Sequence, residues 1–494
     1  MILSLSLVSA FAGTITGKAT DHAGREVYLL RYLDPYSLKT EVIQSSTISD
    51  DGTFRLVNPE NSTQECVIAI LNLRARIFMK AQTDYHVTFP VLPADIPYTF
   101  KPIWLEFEFT GMKQDDPNLA ISAFNRSYEQ FFDSISVDLA QKMYRGSSSY
   151  RTSRKRQLET TNMVSESTDS MLVKNTNVSK AFEEWKKSAD SLKQANADVY
   201  TKTYLSYGKY RIELYLGKPK QELIEKHIQS PNFDPFHPEC ASFLEETFAF
   251  YFHKDYFHTD YDSLVHAIHL TDSRTIQNLI GSNAKVSNPL IIDLIALSNL
   301  RGLYYGVQFS KATIYRNIEM LADSSDSGIE PIALRVLEKL AAGKKGSQPE
   351  NFTLMNEKSE RVQLKDYQGQ FVYINFFKSN CSSCAREMQL MEPFQAKFNQ
   401  QLTILSICMD QSLDDLTNYL SKHPDQKWEF LFGGSHPDLA DQFNLRSIPG
   451  YYLLNPNGQL VYTYTKSPSE GISDQIYSLL NSFAPDQRIK VWDD

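Results

Sequence analysis

The chain has 494 residues, 42% of them hydrophobic, enough material for roughly two to four domains with substantial cores. A net charge of −9 argues against general nucleic-acid binding, and no apolar run is long enough to form a transmembrane helix. Five cysteines are few for a disulfide-stabilised secreted protein of this size.

Residues 1–12 form a short apolar run ending in the small-x-small pattern Ala10-Phe11-Ala12, which suits cleavage of an export leader before Gly13 although no basic residue precedes the run. Residues 13–108 then read as β. Alternating or β-branched segments at 13–18, 27–32, 53–57, 67–71, 76–79 and 85–89 are separated by Gly, Asn and Asp turns such as Ser49-Asp50-Asp51-Gly52. Many short strands in about a hundred residues predict a small all-β sandwich.

Residues 109–345 shift to helical patterning, with apolar residues at three-to-four spacing over 119–134, 179–193, 222–228, 240–252, 289–305, 312–322 and 331–342. No repeat period is firm enough for a solenoid, so an all-α bundle or irregular helical array is expected. Arg151, Arg154, Lys155 and Arg156 form one small basic run that an exposed loop explains. His227, His237, His253, His258, His266 and His269 crowd a short span with Asp255, Asp260 and Asp262. Their spacings match no metal site, and the neighbouring Tyr251, Phe252, Tyr256, Phe257 and Tyr261 favour histidines packed among rings. Cys66 and Cys240 could bridge, but two buried free thiols fit their apolar surroundings better.

The stretch 343–349 has linker composition. Beyond it, 371–377 is a β-branched and aromatic run typical of a buried strand, followed by Cys381-Ser382-Ser383-Cys384 and a helix through Phe398. A strand feeding a helix at its amino end puts the first cysteine where peptide N–H groups and the helix dipole stabilise a thiolate, the reacting species in disulfide exchange. Zinc would need two further ligands that no second CxxC or CxxH supplies. A second buried strand is expected at 402–408, which makes Cys408 a core residue. A helix capped by Ser412 should follow, then Ile448-Pro449 opening a strand, the turn Asn455-Pro456-Asn457-Gly458 and a last strand at 459–465. A cis peptide is the usual reason for a proline at such a strand start.

These motifs, in this order, resemble the thioredoxin superfamily, and within it the TlpA/ResA-like extracytoplasmic branch, over residues 346–494. More faintly, Gly13-Thr14-Ile15-Thr16-Gly17 and Asp51-Gly52-Thr53-Phe54 resemble the β-domain that precedes many TlpA-like proteins in Bacteroidetes-type bacteria. The resemblance implies an α/β thioredoxin fold after the β and helical regions. It also implies Cys381 as nucleophile, Cys384 as resolving thiol and the pair as a redox-active disulfide. Glu387 would exchange protons with the thiols, since Asn375 stands where cytosolic thioredoxins carry a buried Asp, and Ile448 with cis-Pro449 would hold an extended substrate chain. Phe377 and Asn380 replace the family's tryptophans, and Gly450 replaces its threonine, which bears on potential and substrate choice. The implied activity is a periplasmic thiol–disulfide oxidoreductase, acting as a reductase of disulfides in exported proteins, without cofactor or metal. Its partners would be protein thiols and disulfides and a membrane electron-donor thiol protein, with cytochrome c maturation among the processes served. A dithiol oxidase, or a non-enzymatic scaffold that recognises peptides at the cis-proline face, are the alternatives.

Overall fold

The computed structural model describes residues 13–90, 102–146, 176–257, 260–324, 327–398, 402–434 and 436–483. The expected leader at 1–12, the basic run at Arg151, Arg154, Lys155 and Arg156, and His258 lie outside the described residues.

The amino-terminal strands are β1 (Gly13–Lys18), β2 (Glu26–Tyr32), β3 (Thr40–Thr47), β4 (Thr53–Asn58), β5 (Gln64–Ile70), β6 (Leu73–Met79), β7 (Asp84–Thr88), β8 (Ile103–Leu105) and β9 (Glu108–Thr110). They form one sheet of order β4-β1-β7-β9 and another of order β3-β2-β5-β6-β8. Alternation along each strand sends Ile15, Leu56 and Val87 from the first sheet into the same apolar cluster as Leu29, Ile68 and Ile77 from the second. This is the sandwich core. On the opposite face of this sheet Val67 and Ala69 of β5 and Leu30 of β2 are buried as well, which is why β5 reads as a continuous apolar run.

The central region is helical, with α1 (Pro117–Gly146), α2 (Thr176–Ala195), α3 (Val199–Tyr215), α4 (Pro238–Thr247), α5 (Tyr261–Leu270), α6 (Ser273–Ala284), α7 (Pro289–Tyr304), α8 (Lys311–Ser324) and α9 (Glu330–Ala341). Helix α4 stops at Thr247, short of the expected 252, because Phe250 takes a left-handed φ of 56° and the Asn299 side chain accepts from the N–H of Tyr251. The histidines separate. His227 stacks on Tyr210 with centroids 3.5 Å apart, His237 lies 4.4 Å from Tyr200, and His269 lies 5.1 Å from Phe309. Cys66 and Cys240 are free and fully buried.

The carboxy-terminal sheet contains β10 (Thr353–Asn356), β11 (Arg361–Gln363), β12 (Phe371–Phe377), β13 (Leu402–Cys408), β14 (Glu429–Phe432) and β15 (Gly450–Leu454), in the order β11-β10-β14-β13-β12-β15. β12, β13 and β14 run parallel, and β15 is antiparallel to β12. Tyr373, Phe377, Ile404 and Cys408 face α10 (Ser382–Phe398), α11 (Leu413–Lys422) and α12 (Ile472–Phe483), while Ile374, Phe376, Leu405 and Ile407 pack on the opposite face. Burial on both faces explains the unbroken apolar runs. The expected strand at 459–465 does not form. Leu460 makes a single bridge to Leu454, and its N–H and C=O are taken by Ser347 and Gly346 of the preceding connector.

The three regions meet at the loop between β2 and β3. Asp34, its side chain wholly buried, pairs with Arg335 of α9 at 2.7 Å, and Tyr36 donates its hydroxyl to the carbonyl of Pro235. Lys39 bridges Glu338 and Glu350, and Thr40 donates to Asp438 beyond β14. Arg74 of β6 donates to the carbonyl of Pro437, a second tie from the sandwich to that loop.

Candidate active site

β12 ends at Phe377 and the chain turns through Lys378, Ser379 and Asn380 before α10 begins at Ser382. The turn is tight, with the N–H of Cys381 donating to the carbonyl of Lys378 at 3.2 Å. Cys381 is half-buried and Cys384, one helical turn on, is 1% exposed. Their sulfurs form a disulfide, with Cα atoms 5.2 Å apart. The N–H of Cys384 points at Cys381 Sγ at 3.1 Å, and Ser383 Oγ lies 3.2 Å from the same sulfur. The sulfur is thus met by a free donor of the first helical turn, where the helix dipole favours negative charge.

The Ile448–Pro449 peptide is cis and leads into β15, whose Gly450 lies opposite Phe376 at the end of β12. Ile448 and Cys381 pack on the same apolar cluster as Cys384 and Met388. The pairing of Gly450 with Phe376 therefore brings Ile448, Pro449 and the cysteine pair to one end of the sheet. Glu387, half-buried one turn beyond Cys384, accepts from the N–H of Ser469 at 3.0 Å and from its hydroxyl. Its charge, with that of Glu470, helps to hold the Tyr451 phenol far above its ordinary range, burial being the larger cause. Asn375 is fully buried and donates to Met388 Sδ at 3.8 Å. Cys408 is a free buried thiol whose pKa is pushed up by burial and then by the adjacent Asp410 charge.

The family model that matches the chain is the AhpC/TSA family, over residues 346–463. Residues 346–463 form a thioredoxin-like domain. The chain is 25% identical over 142 residues to the thiol-disulfide oxidoreductase ResA of Halalkalibacterium halodurans, covering 27% of this chain and 76% of the relative. It is 24% identical over 148 residues to ResA of Bacillus subtilis, covering 28% and 76%. Among solved structures, the thioredoxin domain of a thiol-disulfide oxidoreductase from Bacteroides vulgatus is similar at 20% identity and a TM-score of 0.26, covering 28% of this chain and 98% of that one. With two cysteines three apart bonded at a helix amino end and these relatives, the thioredoxin-like domain is a thiol–disulfide oxidoreductase.

Ser379, Asp410 and Ser469, which touch the redox loop or Glu387, carried no signal in the sequence, because each acts through a partner more than thirty residues away. Among the described residues no helix is long and apolar enough to cross a membrane.

Proposed function

We propose that the chain is a periplasmic reductase of disulfides in exported proteins, those handled during cytochrome c maturation included. In the reduced enzyme the Cys381 thiolate attacks a substrate disulfide, forming a Cys381–substrate bond and releasing one substrate thiolate. Cys384 then attacks Cys381 Sγ, the second substrate sulfur leaves as a thiolate, and the enzyme is left oxidised with the Cys381–Cys384 bond. Two electrons have passed to the substrate. A membrane electron-donor dithiol protein then attacks the Cys381–Cys384 bond through one thiol and resolves the mixed disulfide with its second, leaving the donor as a disulfide and both enzyme cysteines as thiols, so no further cofactor is required.

The observation that carries thiol exchange at this pair is the N–H of Cys384 aimed at Cys381 Sγ at the head of α10, with the cis peptide before Pro449 at the same end of the sheet, while the reducing direction rests on the similarity to ResA. Glu387 takes the proton of Cys384 as that thiol attacks and returns it to the leaving sulfur. Ile448 and Pro449 hold the substrate as an extended segment beside the pair. The resemblance of the motifs at 371–388 and 448–458 to the extracytoplasmic TlpA/ResA-like branch supports export. A dithiol oxidase is the second reading, favoured by the same N–H contact, since a thiolate stabilised strongly enough makes the disulfide oxidising.

Replacing Cys384 by Ala removes resolution. The variant is expected to accumulate proteins linked through Cys381 that are released by dithiothreitol. Recovery of the same proteins without any covalent link would favour a peptide-binding scaffold instead.

A further inference from the structure

Beneath the redox turn lies a carboxylate the exchange chemistry does not call on. Asp410 follows β13 and is 7% exposed. Its Oδ2 accepts the N–H of Ser379 at 2.7 Å and the thiol of Cys408 at 3.3 Å. A carboxylate accepting from a backbone N–H in a buried place makes a hydrogen bond about twice as strong as a neutral one. Ser379 stands two residues before the nucleophile, and the next tie in the same turn is Cys381 N–H to the carbonyl of Lys378. One end of the turn is therefore anchored by β12 and the other by α10, with Asp410 as the side-chain strut between them.

The strut is itself confined. A Cβ at Gly434 would lie 1.7 Å from the carbonyl oxygen of Asp410, so the loop after β14 rests directly on the Asp410 backbone. That loop is tied to the sandwich by Arg74 through the carbonyl of Pro437 and by Thr40 through Asp438.

Resting on the thiol-exchange reading, we propose that Asp410 is a positioning residue for Cys381: it fixes the turn 378–381 so that Cys381 Sγ sits on the N–H of Cys384. Without the strut the turn relaxes, the sulfur loses that donor and the thiolate is less stable. The charge of Asp410 acts in the opposite sense, since a buried anion disfavours a nearby thiolate. The other titratable groups around the turn are Lys378, whose ammonium faces Asp410 and Cys408, then Asp415 at the head of α11 and Glu387 on α10. The Ser379 N–H goes to Asp410.

The two senses make the test discriminating. In the reduced full chain, the pH midpoint for alkylation of Cys381 by iodoacetamide is read from its own peptide by mass spectrometry. Asp410→Ala is expected to raise the midpoint by about one unit, slowing alkylation about tenfold at pH values below both midpoints. Asp410→Asn keeps an acceptor oxygen and loses the charge, so its midpoint should stay or fall slightly. Ser379→Ala keeps the N–H and should titrate like the parent. Should Asp410→Ala not fold, amide exchange in the unmodified protein decides: the Ser379 N–H is expected to be protected, and free exchange there overturns the proposal. An unchanged midpoint in Asp410→Ala, or an equal rise in Asp410→Asn, also overturns it. Failure of the parent to exchange with glutathione disulfide would sink the enzymatic reading instead, while leaving the Cys381 titration readable.

Discussion

Gly434→Ala probes the packing that holds the redox turn. The added methyl would sit 1.7 Å from the carbonyl oxygen of Asp410, 2.9 Å from its carbonyl carbon and 3.2 Å from the Phe432 ring. Two of the three obstacles are backbone, so no rotamer change relieves them, and a normal contact of about 3.4 Å requires the two loops to separate by more than an ångström. Overpacking of this kind costs about 3 kcal/mol. If the carboxy-terminal domain unfolds as a unit of roughly 150 residues, that cost lowers its thermal midpoint by about 6–12 °C. Gly302→Ala in α7 is the matched control. Nothing lies within 4 Å of its Cβ, so the substitution should be neutral or stabilising by up to about 1 kcal/mol. Calorimetry of both variants is the assay. A midpoint for Gly434→Ala within about 1 °C of the parent would refute the close approach of the two loops.

Other outcomes follow from burial and charge. Native oxidised protein should take up no maleimide, because Cys66, Cys240 and Cys408 are buried and burial raises their thiol pKa values, that of Cys66 to about 12; reduction should expose Cys381 first. Arg335→Ala leaves the buried Asp34 carboxylate with the N–H groups of Tyr36 and Ser37, so urea denaturation should register about 2–3 kcal/mol, below the about 3–5 kcal/mol of a fully orphaned buried charge. Burial lowers the His237 pKa from 6.5 to about 4, so the folded state keeps it neutral where the unfolded chain protonates. Its contribution is complete above pH 6.5 and is lost as pH falls towards 4, with a slope of at most about 1.4 kcal/mol per unit. His237→Asn, which can still cap α4, should flatten that part of the stability–pH curve.

The redox segment was legible because its signals are local. Two cysteines three apart, an apolar run before them and a helical pattern after them need no distant partner to be read. The Ile448-Pro449 dipeptide marked the opposite wall for the same reason. What escaped is non-local or short. β3 carries polar residues on both faces at the edge of its sheet, and β8 and β9 are three-residue strands recruited by β6 and β7. Helix α3 is lined with Tyr, Leu and Ile on several sides because it packs against both α1 and α4, so no single apolar stripe announces it. Residues 459–465 alternate like a strand, yet the connector at Gly346 and Ser347 takes the backbone of Leu460. Asp410 reads as any polar residue after a strand, and only the fold sets it under Ser379.

The most direct test of the account is the reduction potential of the Cys381–Cys384 couple, measured by equilibrating the full chain with glutathione buffers. A reductase of exported proteins is expected near the thioredoxin value of about −270 mV. A value near about −120 mV would contradict that direction and make the protein a dithiol oxidase.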